Sequence, residues 1–482
     1  MNGTSSDGFS FPESLRQVKA DKRVQSQYAQ ELAAEGKLCR RSPVRRIQRR
    51  GYIPREDMRA SVYQTEVVPW CLCRLPVNGP EGVSFILKEV FMSNTPRFAK
   101  RMDGITGSAI RELFKITARP GVISFGGGNP SPTALPDEIV ADISRDLVAS
   151  NGKVLLQYGM TEGLPALRES LVPYIEKEFG VKTTMDQILP VTGSTQAFSL
   201  LMDAYTDPGD VILTEDPTFL GATQAMHLHQ LKVVPVACDD EGLRIDALED
   251  AIIKHHPRML YTIPTFQNPT GVTMPLERRK KIAELAEKYD LLVAEDDPYR
   301  SLRYSGESLP TIKSFDKAGK VVLMGSFSKV ISPGLRVGFM VCEPQLLRKC
   351  TICKQSDDLH TANLNQAIVD AYLRRDLLAP HIERICSGYK AQMETMLECL
   401  KDVKGIEHYT KPEGGLFIFC YLNEKVNATD KLMQAVEKGV AYVPGTYFYP
   451  DGGHENTLRL NFSNSDIPTI QRGMALLNEC LK

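Results

Sequence analysis

The 482-residue chain holds one tryptophan and eight histidines and carries almost no net charge, and each shortage excludes something. Its 58 basic and 59 acidic side chains leave a net charge of −1, so no overall excess exists to drive binding to nucleic acid or another polyanion. No run approaches the ~18 apolar residues that a helix needs to cross a bilayer. The opening MNGTSSDGFSFPESL lacks the basic start and apolar stretch of a secretory signal. Eleven cysteines are scattered rather than packed into a small framework, and the one CxxC, Cys350 and Cys353, falls in a segment that reads as helix. His227, His229, His255 and His256 have no cysteine or carboxylate partners at ligand spacing, so no metal site is expected. Reduced thiols in a cytoplasm are the default. The length exceeds one ordinary core and predicts two or three domains.

Residues 1–91 read differently from the rest. They hold Trp70 and an arginine cluster from Arg40 to Arg50, and sustain no hydrophobic period. Asp7, Glu13 and Asp21 come too early for a mitochondrial transit peptide, and the three amphipathic helices of a helix-turn-helix module are not found. Lys88-Glu89-Val90 can be encoded by a purine-rich AAGGAGGT-like string two codons before Met92. The expectation is therefore that the natural protein starts at Met92 and that 1–91 are translated upstream sequence. A genuine disordered extension is the alternative.

From Arg101 onward the pattern is that of a folded enzyme. Ser108 to Lys115 reads as a capped helix, and GVISFGGGNPSPTALP (Gly121–Pro136) as a short strand entering a Gly/Pro-rich loop. Its three glycines, Gly126 to Gly128, let backbone approach a ligand, although no GxGxxG fingerprint is present. Helices are expected from about Asp137 to Ser150 and from Pro165. ILPVTG, VILTED, LKVVPVAC, MLYTIPT, LLVAEDD and VVLMGSFS then alternate, as strands, with helical runs. Such alternation predicts an α/β fold, a three-layer, mainly parallel sheet with helices on both faces. After about Ser387 the text becomes that of a smaller α+β domain.

Ligands of such sheets sit at the carboxyl ends of strands, and every candidate motif falls there. Gly193-Ser194-Thr195 places N–H groups and hydroxyls at a helix N-terminus, a ready anion site. GSFSKVISPGLRVGF (Gly325–Phe339) offers Ser326, Ser328, Lys329 and, seven residues on, Arg336. Hydroxyls and an arginine fork suit a phosphate, and a lysine can condense with an aldehyde. Asn268-Pro269-Thr270-Gly271, Asp296-Asp297-Pro298-Tyr299 and Arg459 complete the constellation.

Together, in this order, NPTG, DxxY and SxSK(x6)R make residues 95–482 resemble the pyridoxal-phosphate-dependent aminotransferases of fold type I, class I/II. Within that family the chain is similar to the 2-aminoadipate/kynurenine, aromatic and multi-substrate subgroup. That resemblance implies a homodimeric, cytoplasmic transaminase of amino acid metabolism and biosynthesis, with pyridoxal 5′-phosphate as cofactor. It would move an amino group from an aromatic, 2-aminoadipate or branched-chain donor to a 2-oxo acid such as 2-oxoglutarate. By position, Lys329 would carry the cofactor and shuttle the substrate Cα proton, and Asp296 would pair with the ring nitrogen. Tyr299 and Asn268 would hydrogen-bond the ring oxygen, and Phe219 would stack on the ring. Ser194, Thr195, Ser326, Ser328 and Arg336 would hold the phosphate, with Tyr158 reaching in from the partner subunit. Gly127 and Gly128, with Asn268 and Arg459, would meet the substrate, Arg459 taking its α-carboxylate. Asp297 points the other way along an extended segment, so a structural or solvated role is expected. The implied domains are an N-terminal arm and substrate loop (92–136, packing with the small domain), a large cofactor domain (137–386) and a small domain (387–482). Donor choice is expected to depend on the Tyr442–Tyr449 stretch. The alternatives are an aminotransferase-like transcription regulator and a C–S lyase on the same fold.

Overall fold

A computed structural model of the chain describes residues 98–102 and 121–482. The readings on 1–91, on the start at Met92 and on the helix Ser108–Lys115 lie outside the described residues. After the short β1 (Ile123–Ser124) come β2 (Ile188–Val191), β3 (Val211–Asp216), β4 (Lys232–Asp239) and β5 (Gly242–Leu243). Next are β6 (Met259–Thr262), β7 (Leu292–Asp296), β8 (Val321–Ser326) and β9 (Gly338–Val341). Strands β2 to β9 form one sheet in the order β2-β9-β8-β7-β6-β3-β4-β5. Neighbours from β8 through β7, β6 and β3 to β4 are parallel; β9 is antiparallel to both β8 and β2, and β5 to β4.

The period of two along these strands fills two separate cores. Ile212, Met259, Tyr261, Leu292, Ala294 and Val322 belong to one, and their neighbours Leu213, Leu260, Val293 and Val321 to the other. Burial on both faces is what excludes water from the sheet and makes its strands read as continuous apolar runs. On the second face the helices Ile245–His255 and Leu276–Lys288 contribute Leu248, Ile252, Ile282 and Leu285. On the first, the helix Pro165–Phe179 begins with proline at its first position and ends at Gly180 in the left-handed region (φ 69°). It buries Leu167, Leu171 and Ile175 at fourfold spacing, each worth about 1.5–3 kcal/mol of removed apolar surface. Leu171→Ala would leave a cavity there and cost about 2–5 kcal/mol.

Two helices depart from the expected boundaries. The first spans Asp137–Leu155, because the weak helix formers at 151–152 distort rather than stop it: Asn151 alone leaves helical angles (φ −139°, ψ 25°). The long helix Leu378–Leu400 crosses the expected 386/387 boundary; its proline, Pro380, falls in the first turn, where no hydrogen bond is lost.

A second sheet is built from β10 (Ile406–Tyr409), β11 (Phe417–Leu422), β13 (Val443–Pro444) and β14 (Thr457–Asn461), in the order β10-β11-β14-β13. The strand between them, β12 (Val440–Ala441), pairs in parallel with β1 and so ties the Gly126–Asn129 loop to this part of the fold. Among the described residues no helix is long and apolar enough to cross a membrane.

Candidate active site

The carboxyl-end rim of the large sheet gathers the residues singled out above. Asp296 ends β7, Ser326 ends β8, Ser194 opens the helix after β2, and Phe219 and Asn268 follow β3 and β6. Arg459 enters from the other sheet, where β14 pairs it with Phe419 of β11 and Val443 of β13.

Asp296 is buried, and its Oδ2 accepts a hydrogen bond from the Tyr261 hydroxyl at 2.8 Å. Its Oδ1 is buried with no partner. Burial pushes this carboxyl up to about 6, while the Tyr261 and Ser194 hydroxyls pull it down. An unpaired carboxylate oxygen inside a protein is costly unless something donates to it, and a protonated ring nitrogen is a fitting donor. Asp297 turns away into a buried ion pair with Arg300 at 2.6 Å, so of the two expected roles it takes the structural one.

Arg459 is likewise buried, and among the described residues no carboxylate pairs with it. Nη1 donates to Asn268 Oδ1 at 2.7 Å and Nη2 to the Gly126 carbonyl at 2.8 Å, while Nε has no partner. The Phe417 and Phe448 rings lie 4.2 and 4.8 Å from the guanidinium carbon. Burial lowers its pKa to about 10, far above neutrality, so the charge stays. A permanent cation clamped between two rings fits a carboxylate that arrives from outside.

Lys329 donates to the Gly128 carbonyl at 2.7 Å. Burial, with Arg459 and Arg336 nearby, lowers the ammonium to about 8, which makes a neutral, nucleophilic amine accessible near physiological pH. Gly126 and Gly128 thus hold the two cations and Gly127 lies between them. The Tyr299 hydroxyl is buried and its pKa is raised by that burial, against the pull of Arg459 and the Asn268 amide.

Asn268 is aimed by a wired turn. Gln267 Oε1 accepts from Thr270 N and Oγ1, at 2.9 and 2.7 Å, and its Nε2 donates to Glu215 Oε2 and the Pro217 carbonyl. Gly271 needs its positive φ of 74°, and a Cβ there would come 2.6 Å from the Phe417 carbonyl oxygen. Behind the turn, the fully buried Arg279 donates to the Met274 and Pro264 carbonyls at 2.9 and 2.7 Å.

The phosphate-type residues form a cup beside this pocket. Gly193 takes φ 84° just before the helix Ser194–Tyr205. Arg336 fits against it so closely that a Cβ on Gly193 would stand 2.3 Å from Nη2. Arg336 Nη2 donates to the Thr192 carbonyl at 2.9 Å and Nη1 to Ser328 Oγ at 3.3 Å, and Ser328 N donates to Ser326 Oγ at 3.2 Å. Ser194 is half-buried and Thr195 exposed at the same rim. Phe219 caps the helix Leu220–Leu228, and Thr218 N donates to the Phe448 carbonyl at 2.9 Å, which ties this loop to the second sheet. Tyr158 is not part of the cup of its own chain; it is 80% exposed.

Tyr261 escapes a reading of motifs, because it stands in none: it touches Asp296 from the neighbouring strand, and only the alternation of MLYT hints at its direction. Of the Tyr442–Tyr449 stretch, Tyr442 is spent in the core, donating to the Ala428 carbonyl at 2.7 Å, and Phe448 is the residue that reaches Arg459.

The family description "Aminotransferase class I and II" matches residues 120–477. The chain is 39% identical over 392 residues to an aromatic-amino-acid aminotransferase of Thermococcus litoralis, covering 80% of this chain and 94% of that protein. It is similar to the solved Pyrococcus horikoshii kynurenine aminotransferase in complex with PMP, at 38% identity and a TM-score of 0.77, over 82% of this chain and 98% of that one. It is also similar to the alpha-aminoadipate aminotransferase LysN of Thermus thermophilus, complexed with N-(5′-phosphopyridoxyl)-L-leucine, at 38% identity and a TM-score of 0.74, over 80% of this chain and 97% of that one.

Proposed function

The chain belongs to the class I and II aminotransferases, which transfer amino groups with pyridoxal 5′-phosphate, and from that premise we propose which residues divide the work. When bound, the cofactor supplies an electron sink for the carbanion formed at the substrate Cα. Lys329 would hold it covalently, and its amine, lowered to about 8, would move the Cα proton as a general base. Asp296 would receive the ring N–H on its free Oδ1, with Tyr261 holding the carboxylate in place from Oδ2. Asn268 and Tyr299 would orient the ring oxygen, and Phe219 would stack on the ring. Ser194, Thr195, Ser326, Ser328 and Arg336 hold the phosphate.

Arg459 binds the substrate α-carboxylate, with Asn268 and the Gly127–Gly128 main chain beside it. The observation that carries this reading is that buried guanidinium, aromatic on two sides and lacking a carboxylate among the described residues. The donor is an aromatic, 2-aminoadipate or branched-chain amino acid and the acceptor a 2-oxo acid such as 2-oxoglutarate. The names of the similar proteins support that range: aromatic amino acids, kynurenine, aminoadipate and a leucine adduct.

The working unit is a homodimer. Val154, Leu156, Tyr158 and Met160 are 55%, 70%, 80% and 58% exposed, an apolar surface that a lone chain rarely leaves in water, and a second copy would carry Tyr158 to the neighbouring cup. The eight cysteines of the described residues are all free, in keeping with a cytoplasmic setting.

A donor and acceptor panel on purified protein, with Lys329→Ala as control, tests the assignment. Turnover of at least one of the three donor classes with 2-oxoglutarate is expected. The reading fails if the wild type shows no absorbance change on adding the cofactor. Pyruvate and ammonia released from a cysteine conjugate, without amino transfer, would favour lyase chemistry instead.

A further inference from the structure

Lys354 is among the largest fully buried side chains of the molecule, although it sits on the helix Pro344–Asp357, away from the motifs above. Its ammonium spends all three protons, on Gln196 Oε1 at 2.8 Å and on Asp358 Oδ1 and Oδ2 at 2.8 and 3.0 Å. Both acceptors continue to one residue. Thr192 N donates to the same Gln196 Oε1 at 2.8 Å, and Thr192 Oγ1 donates to Asp358 Oδ2 at 2.8 Å. The third polar group of Thr192, its carbonyl, accepts Arg336 Nη2 at 2.9 Å. Every polar atom of Thr192 is therefore fixed, two of them through partners that Lys354 holds.

Burying an ammonium is expensive, and an apolar side chain of similar length would fill the space at lower cost, so stability alone does not account for a lysine here. What the lysine adds is direction. Gly193, Ser194 and Thr195 follow Thr192 immediately, and Arg336 is anchored on its carbonyl. A rotation of the Thr192 peptide would displace both the helix N-terminus and the arginine.

We propose that Lys354 is a positioning residue for the cofactor phosphate, acting through Gln196, Asp358 and Thr192 on the aim of Arg336. The proposal rests on the reading of Ser194, Thr195 and Arg336 as the phosphate site. Its signature is a selective loss: the phosphate should be held less well, and the rest of the cofactor as before.

The test strips the full-length protein of cofactor and titrates it with pyridoxal 5′-phosphate and with pyridoxal, which lacks the phosphate. Lys354→Met is expected to weaken the phosphorylated ligand about tenfold or more, and pyridoxal less than about twofold, as the loss of charge-assisted bonds behind one site implies. Asp358→Asn keeps the shape and should give a smaller loss in the same ratio; it decides the matter if Lys354→Met does not yield folded protein. An equal loss for both ligands, or none, in the folded variants would overturn the proposal. Arg336→Leu separates the two levels of inference. If it leaves the ratio unchanged, the phosphate site itself has been misplaced; if it collapses the ratio while Lys354→Met and Asp358→Asn do not, only the role of Lys354 falls.

Discussion

The two halves of the site are built on opposite principles. In the cup, Arg336, Ser326 and Ser328 already bond to Thr192 and to one another, and the arginine is exposed. In the pocket around Asp296 and Arg459, both charged groups are buried and each keeps one polar atom unpaired. The cup is self-consistent without a ligand, whereas the pocket is not. A fold tolerates buried, unsatisfied charges of this kind where a ligand will complete them. Under the proposed assignment, the first half would retain the cofactor and the second would carry the chemistry.

Four substitutions would break or sharpen that contrast, in falling order of effect. Lys329→Ala should remove turnover by on the order of 10⁴-fold, measured with a saturating donor, because it deletes the amine proposed to bind the cofactor and move the Cα proton. Arg459→Leu should lower kcat/KM for an α-amino acid by about 10²–10³-fold, the cost of an unpaired carboxylate in a buried site, with little change in cofactor affinity. An equal fall in cofactor affinity would erase the proposed division between the halves.

The third substitution, Asp296→Asn, should act in opposite directions on the empty and the loaded protein. Burial raises the Asp296 carboxyl to about 6, so between about pH 4 and 6 the folded chain binds more protons than the unfolded one. The stability contributed by this group is therefore greatest below that window and falls as pH rises through it. Cofactor-free wild type should lose up to about 3 kcal/mol relative to Asp296→Asn between those limits, as thermal melts across pH would read. The same variant should bind cofactor more weakly. If it destabilises the empty chain at every pH, the cost of the buried carboxylate has been misjudged. The mildest change, Tyr261→Phe, deletes one hydrogen bond to Asp296 Oδ2 and should reduce kcat by up to about tenfold, while raising the Asp296 carboxyl further. A basic shift of the acid limb in its pH–rate profile would show it.

Six of the eight strands of the large sheet were legible as short apolar runs, and VILTED coincides with β3; the two-residue β5 and the antiparallel β9 were not, because β5 is too short to show a period and β9 follows directly on the loop that carries Lys329 and Arg336. The helix start at Pro165 was equally plain. Helix ends were less so, since the interruption at Asn151–Gly152 resembles a stop until tertiary packing is known. The site was readable where its residues form local motifs at strand ends: Lys329, Asp296, Asn268 and Arg336. Residues that act across space were not. Tyr261 looks like one more core aromatic, and Lys354 like one charge on a mixed helix that also holds Cys350 and Cys353. Nothing in local periodicity records that an ammonium 158 positions from Gln196 will meet it.

The reversal of β9 has a consequence for how far this site can vary. A parallel neighbour of β8 would need a crossover of a dozen or more residues to return to the same rim. The antiparallel pairing of Ser326 with Gly338 returns the chain after eleven, so the lysine and the arginine of that hairpin share one end of the sheet. Under the proposed roles, that spacing would act as a ruler between the group that binds the cofactor aldehyde and the group that holds its phosphate. A surface loop of similar size can double in length for about 0.6 kcal/mol of closure entropy. Here a single inserted residue would leave the fold standing and the ruler wrong.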